Sequence, residues 1–168
     1  KPGGMIRAAI PFYRLPEKIV EQDINDILDI GIELKLGVNV GKDITIRELE
    51  MHYDAILIAA GTQKSIMLKI EGIENDGVYW GVDYLRRVKG EYPPAIGDKV
   101  LVIGGGNVAI DAARTSLRLG AKQVTLSCLE TRERMPAHPW EIEHALEEGL
   151  EIINCLGPEK IVGDSNHK

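Results

Sequence analysis

Val100-Leu101-Val102-Ile103-Gly104-Gly105-Gly106-Asn107-Val108-Ala109-Ile110-Asp111 is the stretch on which the fold turns. A short run of branched apolar residues reads as a strand, and the residues after the three glycines begin a helical stripe. Gly104-x-Gly106-x-x-Ala109 matches the glycine fingerprint of a strand–turn–helix dinucleotide site, with alanine at the third glycine position. The spacing has a physical basis: Gly104 permits a tight turn, and Gly106 removes a side chain so that the backbone can approach a pyrophosphate. Ala109 keeps the helix near the sheet. Amides at the helix start, near Asn107 and Val108, would face negative phosphates with the positive end of the helix dipole. A tight turn that binds nothing is the bland alternative; the strand before and the helix after weigh against it.

Outward from this turn the pattern stays legible. Lys99–Ile103 reads as a strand, Asn107–Leu119 as a helix closed by Gly120, and Gln123–Leu129 as a second strand. A further helix is expected to open at Met135-Pro136, with Trp140, Ile142, Ala145 and Leu146 as its apolar side, and Leu150–Leu156 comes next as a strand. Upstream, Pro93-Pro94 and Gly97-Asp98 form a stiff break that reads as a domain boundary.

Before the break, Gly3 and Gly4 open a loop, and Leu15-Pro16 starts a helix carrying Val20, Ile24, Ile27 and Leu28. Ile32–Leu36 alternates as a half-buried strand should. Thr45-Ile46-Arg47-Glu48 reads as a capping box. Ala55–Ala60 is an unbroken apolar run of the kind found in a strand covered on both faces, and Gly61-Thr62 ends it. A short helix is expected over Val82–Val88. The order Leu15-Pro16, helix, Gly31-Ile32-Glu33-Leu34 echoes Met135-Pro136, helix, Gly149-Leu150-Glu151-Ile152. The expected architecture is α/β: two incomplete Rossmann-like units with mainly parallel sheets, residues 1–95 and 96–168.

Composition narrows the function classes. The 168 residues are 44% hydrophobic and 27% charged, with a net charge of −6 and no basic block. Sequence-independent nucleic-acid binding, which draws on clustered Lys and Arg, is therefore not expected. No apolar run approaches the ~18–20 residues of a membrane span. Cys128 and Cys155 each sit in a strand-like run and are expected as buried, reduced thiols, which makes the cytoplasm the expected location. Two cysteines and four scattered histidines assemble neither a zinc nor an iron–sulfur site.

The end of the second predicted strand bears on the choice of nicotinamide. Glu130, 24 residues after Gly106, lies where a carboxylate would accept hydrogen bonds from the adenosine ribose and repel a 2′-phosphate, which favours NAD. Arg132 and Arg134 argue the other way, because a guanidinium holds a phosphate bidentately. A solvated charge cluster accounts for all three equally, and the lean to NAD over NADP is slight. Asp111, one helical turn after Asn107, reads as either a site residue or a solvated carboxylate.

Taken together, these segments resemble the central part of the flavoprotein family typified by the glutamate synthase small (beta) subunit. The flavin half of dihydropyrimidine dehydrogenase and the ferredoxin-dependent transhydrogenases belong to the same family. Gly3-Gly4-Met5-Ile6-Arg7-Ala8-Ala9-Ile10-Pro11 resembles its flavin-contacting loop, and Tyr53–Thr62 its strand ending in a Gly-Thr turn beside the FAD. Val102–Thr115 resembles its nicotinamide-binding turn, and Thr131–Ala137 continues the match. Members often carry two arginines where this chain has Leu129-Glu130.

The resemblance implies an internal part of a longer flavoprotein. Residues 1–95 would be a partial FAD-domain segment with its connection, and 96–168 the N-terminal half of the NAD(P)-binding Rossmann domain. It implies hydride transfer between nicotinamide and FAD, with electrons passed on to iron–sulfur carriers. Gly104, Gly105, Gly106, Asn107 and Val108 would contact the pyrophosphate, and Glu130 and Arg132 the adenosine ribose. Gly3, Gly4, Gly61 and Thr62 would border the flavin. FAD would be held by the longer protein only, so the 168 residues alone are expected to be inactive. A non-catalytic interaction module reusing a dinucleotide-binding fold is the alternative, with the Glu-rich stretch Glu141–Glu148 as its surface.

Overall fold

The computed structural model describes residues 2–90 and 93–163. Two compact units emerge: Lys1–Ala8 with Phe12–Gln63, and Ala9–Pro11 with Lys64–Lys168. The boundary between these units follows Gln63, whereas the stiff break in the sequence pattern lies at Pro93-Pro94. Packing explains the difference. The helix Gly81–Lys89 is fastened to the second unit by the Tyr84 hydroxyl on Ser116 Oγ at 2.8 Å. Lys89 Nζ donates to the Ile10 carbonyl at 2.7 Å, which brings 9–11 along.

The first unit holds helices α1 (Gly4–Ala8), α2 (Glu17–Leu28) and α3 (Ile46–His52). The predicted loop at Gly3-Gly4 is therefore a helical turn, and Arg7 on it reaches Glu17 and Glu21 of α2 at 3.9 and 3.5 Å. The capping box forms as expected: Thr45 N donates to Glu48 Oε2 at 2.8 Å and Glu48 N to Thr45 Oγ1 at 3.2 Å. Neither expected strand does. Ile32–Leu36 and Ala55–Ala60 pair with nothing among the described residues, and Leu57 and Ile58 are 90% and 79% exposed. A strand exists only through ladder bonds to a neighbour, and an apolar run without one remains an irregular segment. The expectation of a parallel sheet in each unit is corrected accordingly.

The second unit contains α4 (Gly81–Lys89), β1 (Lys99–Ile103), α5 (Asn107–Arg118), β2 (Gln123–Ser127), α6 (Pro139–Glu147) and β3 (Glu151–Ile153). The strands form one parallel sheet in the order β1-β2-β3, with Lys99 opposite Gln123 and Thr125 opposite Glu151. The α5 helix crosses from β1 to β2 and α6 from β2 to β3, as parallel neighbours require. Ile110, Ala113, Val124, Leu126, Ile142, Ala145 and Leu150 make the core between helices and sheet.

Three details depart from the sequence pattern. The helix expected at Met135-Pro136 opens at Pro139, although Met135 (ψ 132°) and His138 (ψ 139°) are both extended before a proline. Met135 and Ala137 are buried and the Ala137 amide is bonded to the Gly105 carbonyl, so the first proline is followed by core contacts instead of a helical turn. Pro139 takes the first-turn position instead. The apolar side of α6 is also narrower than expected: Ile142 and Ala145 are buried, whereas Trp140 and Leu146 are exposed. Glu141 is inside with them because Arg114 meets it there at 3.2 Å. Cys155 is exposed and sits at φ 60°, a conformation that ends β3 early.

Glu148, just past α6, receives Arg114 Nη2 at 2.7 Å and Arg118 Nη2 at 2.6 Å. Burial opposes ionisation there, but the bonds from Arg118 and Arg114 outweigh it and hold the carboxyl below its usual range. A depressed carboxylate contributes stability above the unfolded value of about 4.5, and that contribution is lost as pH falls through the folded one. The melting temperature is therefore expected to fall below about pH 4.5, and less steeply in Glu148→Gln. Equal acid slopes in the two proteins would remove Glu148 from this account.

Candidate functional site

The three glycines after β1 sit in three different settings. Gly104 has φ +133°, which L side chains rarely adopt, and its amide donates to the Ser127 carbonyl at 2.8 Å, tying the turn to the end of β2. A Cβ at Gly105 would lie 3.1 Å from both Cys128 Cβ and Glu130 Oε2, so the second glycine lets the turn lie against the strand end. At Gly106 a Cβ would meet nothing within 4 Å, and φ −92°, ψ 174° is open to any residue. Gly106 is thus not required by the protein's own packing. Its bare face is open space at the C-terminal edge of a parallel sheet, where α/β proteins place ligands.

Gly106 is the N-cap of α5, with no capping side chain and no acidic residue in the first turn. The amides of Asn107 and Val108 have no intrahelical acceptor, as at every helix start, and the dipole adds partial positive charge. Ala109 N already bonds the Gly106 carbonyl at 3.0 Å. Such an end holds a diphosphate or another compact anion without needing a side-chain cation.

The predicted ribose-side residues lie on the connection from β2 to α6. Glu130 is half-buried with its carboxylate beside Gly105. Its carbonyl accepts from Asn154 Nδ2 at 3.0 Å and Cys155 N at 3.3 Å, which locks that strand end. Arg132 opens a single 3-10 turn, Arg132–Arg134, and its Nη1 lies 4.0 Å from Met135 Sδ. Arg134 is exposed. Asp111 is buried, so its reading as a solvated carboxylate does not hold.

Gly3, Gly4, Gly61 and Thr62 all belong to the first unit. Gly3, Gly4 and Gly61 have positive φ, but a Cβ at Gly3 would meet Arg7 Cβ at 2.9 Å and Ile24 Cδ1 at 3.1 Å, so packing alone accounts for that glycine. Arg7 Nε, on the segment carrying the flavin-loop resemblance, is buried with no acceptor among the described residues. The residues that the sequence pattern missed are Ala137, His138 and Asn154. Ala137 N donates to the Gly105 carbonyl at 3.0 Å and His138 N to Asn107 Oδ1 at 3.0 Å. No spacing rule links them to the turn, because the bonds run between backbone groups and one amide far apart in sequence.

A family model described as pyridine nucleotide-disulphide oxidoreductase matches residues 17–166. The chain belongs to the pyridine nucleotide-disulphide oxidoreductase family. It is 38% identical over 170 residues to the NADPH-Fe(3+) oxidoreductase subunit beta of Geobacter sulfurreducens, covering 99% of this chain and 25% of that one. It is 32% identical to the glutamate synthase [NADPH] small chain of Escherichia coli, covering 99% of this chain and 38% of that one. The resemblance to glutamate synthase small subunits therefore holds across the chain, which spans a quarter to two-fifths of these relatives. The structure of Mycobacterium tuberculosis FprA in complex with NADPH shares the fold, with TM-score 0.70 at 21% identity, over 87% of this chain and 38% of that one. No helix among the described residues is long and apolar enough to cross a membrane.

Proposed function

We propose that this chain is the nicotinamide dinucleotide-binding part of a flavin-dependent oxidoreductase, and that Gly104–Val108 grips the coenzyme's diphosphate. The observation that carries this reading is Gly106: open space over an uncapped helix start, where the fold itself needs no glycine. The main-chain amides of Asn107 and Val108 hold the phosphates, and Glu130 and Arg132 face the adenosine side. Residues 96–168 then form the first half of a nicotinamide domain, and 1–95 the tail of a flavin domain with its connection. In the longer protein Gly3, Gly4, Gly61 and Thr62 would border a flavin, which would supply the hydride-accepting chemistry and the link to iron–sulfur carriers. Within this chain the residues bind and orient; none of them serves as an acid or base. Cytoplasmic location remains part of the proposal.

The names of both relatives specify NADPH. That moves the reading from the expected slight lean to NAD towards NADPH, with Arg132 and Arg134 near the 2′-phosphate and Glu130 opposing it. Glu130→Gln is accordingly expected to tighten NADPH about tenfold relative to NADH, roughly 1.4 kcal/mol. An unchanged ratio would place the 2′ position elsewhere.

Fluorescence titration with NADPH and NADH tests the proposal directly. Saturable binding is expected, and none at millimolar concentration would favour an interaction module. That alternative loses much of its surface here, since Glu141 and Glu148 are engaged by Arg114 and Arg118.

A further inference from the structure

We infer that Asn107 is a positioning residue through which the diphosphate turn sets the choice between a free and a phosphorylated adenosine 2′ position. The inference rests on the coenzyme reading above. The connection from β2 to α6 is anchored at both ends. At its start, the Glu130 carbonyl is held by Asn154 Nδ2 and Cys155 N. At its far end two bonds fasten it to the glycine turn: Ala137 N on the Gly105 carbonyl, and His138 N on Asn107 Oδ1, both at 3.0 Å. Between these anchors lies the 3-10 turn with Arg132 and Arg134, the cations that would meet a 2′-phosphate.

Of the two far-end bonds, only that from His138 depends on a side chain. An N–H donor requires the amide oxygen of Asn107 to face His138, which leaves Nδ2 uncommitted, with no hydrogen-bond acceptor among the described residues. Asn107 thus joins two functions on one amide: its oxygen is committed to the selectivity connection, and its nitrogen stays available to the diphosphate. Were Asn107 merely a phosphate contact, its oxygen would have no reason to be committed to His138.

The test compares dissociation constants for NADPH and NADH in the chain, in Asn107→Ala and in Asn107→Asp. The unaltered chain is expected to discriminate between the two coenzymes. Asn107→Ala removes one of the two far-end bonds and leaves that of Ala137 on Gly105, so the connection loosens: the discrimination ratio should fall at least fivefold towards one, and exchange of the His138 amide proton should accelerate at least tenfold. Asn107→Asp keeps an acceptor for His138 while its charge repels the diphosphate, so both coenzymes weaken and the ratio survives. Equal weakening of both coenzymes in Asn107→Ala, or loss of the ratio in Asn107→Asp, overturns the inference and leaves the coenzyme reading standing. An unaltered chain that binds both equally also overturns the inference alone. One that binds neither sinks the coenzyme reading, and the inference with it. Should Asn107→Ala fail to fold, the ratio in Asn107→Asp and slow exchange of the His138 amide in the unaltered chain decide the matter.

Discussion

Arg114→Ala is expected to destabilise the glycine-turn unit by about 3–5 kcal/mol, the range for breaking a buried ion pair by removing one partner. Arg114 is 7% exposed on α5 and Glu141 8% exposed on α6. The guanidinium bonds Glu141 Oε2 through Nη1 at 3.2 Å and Glu148 Oε1 through Nε and Nη2 at 3.1 and 2.7 Å. Arg118, bonded to Glu148 at 2.6 Å in the unaltered protein, still holds that carboxylate, so the main cost falls on Glu141, which loses its Arg114 partner while staying buried. The double replacement Arg114→Met with Glu141→Leu is therefore expected to recover most of the loss, since it removes the buried carboxylate together with the cation facing it. Urea unfolding of the three proteins measures both effects. A loss under about 1 kcal/mol in Arg114→Ala would mean that the pair behaves as a solvent-exposed one.

Gly106→Asp should separate folding from binding by sign. Aspartate is a preferred N-cap, and its charge suits the positive helix end, so stability should hold or rise by a few tenths of a kcal/mol. Neither space nor backbone conformation forbids it: a Cβ there meets nothing within 4 Å and φ is −92°. Yet the carboxylate would occupy the amides proposed for the diphosphate and repel it. Affinity for NADPH and NADH alike should then fall at least a hundredfold, about 2.7 kcal/mol. A stable variant that still binds normally would show that the coenzyme, if bound, lies elsewhere. A variant that loses both stability and binding would contradict the open geometry at Gly106.

How far the sequence pattern reached differs between the units. In the second, β1 and the start of α5 fall where the glycine spacing places them, because a strand, a tight turn and a helix cap are governed by neighbouring residues. The Thr45–Glu48 capping box is equally local and forms as read. The internal echo shows where locality ends. Gly149-Leu150-Glu151-Ile152 and Gly31-Ile32-Glu33-Leu34 look alike, but only the former enters a sheet, because only it finds a partner, in β2. Pro136 and Pro139 are likewise equivalent as helix openers by pattern, and burial of Met135 and Ala137 distinguishes them.

What the amino-acid order determined by itself is the turn: three small residues between an apolar run and a helix, dictated by backbone sterics and by amides that lack partners. What only tertiary structure decided is everything that depends on a distant group. That includes the burial of Glu141 against Arg114, the bond from His138 to Asn107, and the placing of the Glu130 carboxylate beside Gly105. Local rules cannot reach these, because the energy of a buried charge or a committed amide is set by the partner that folding brings to it.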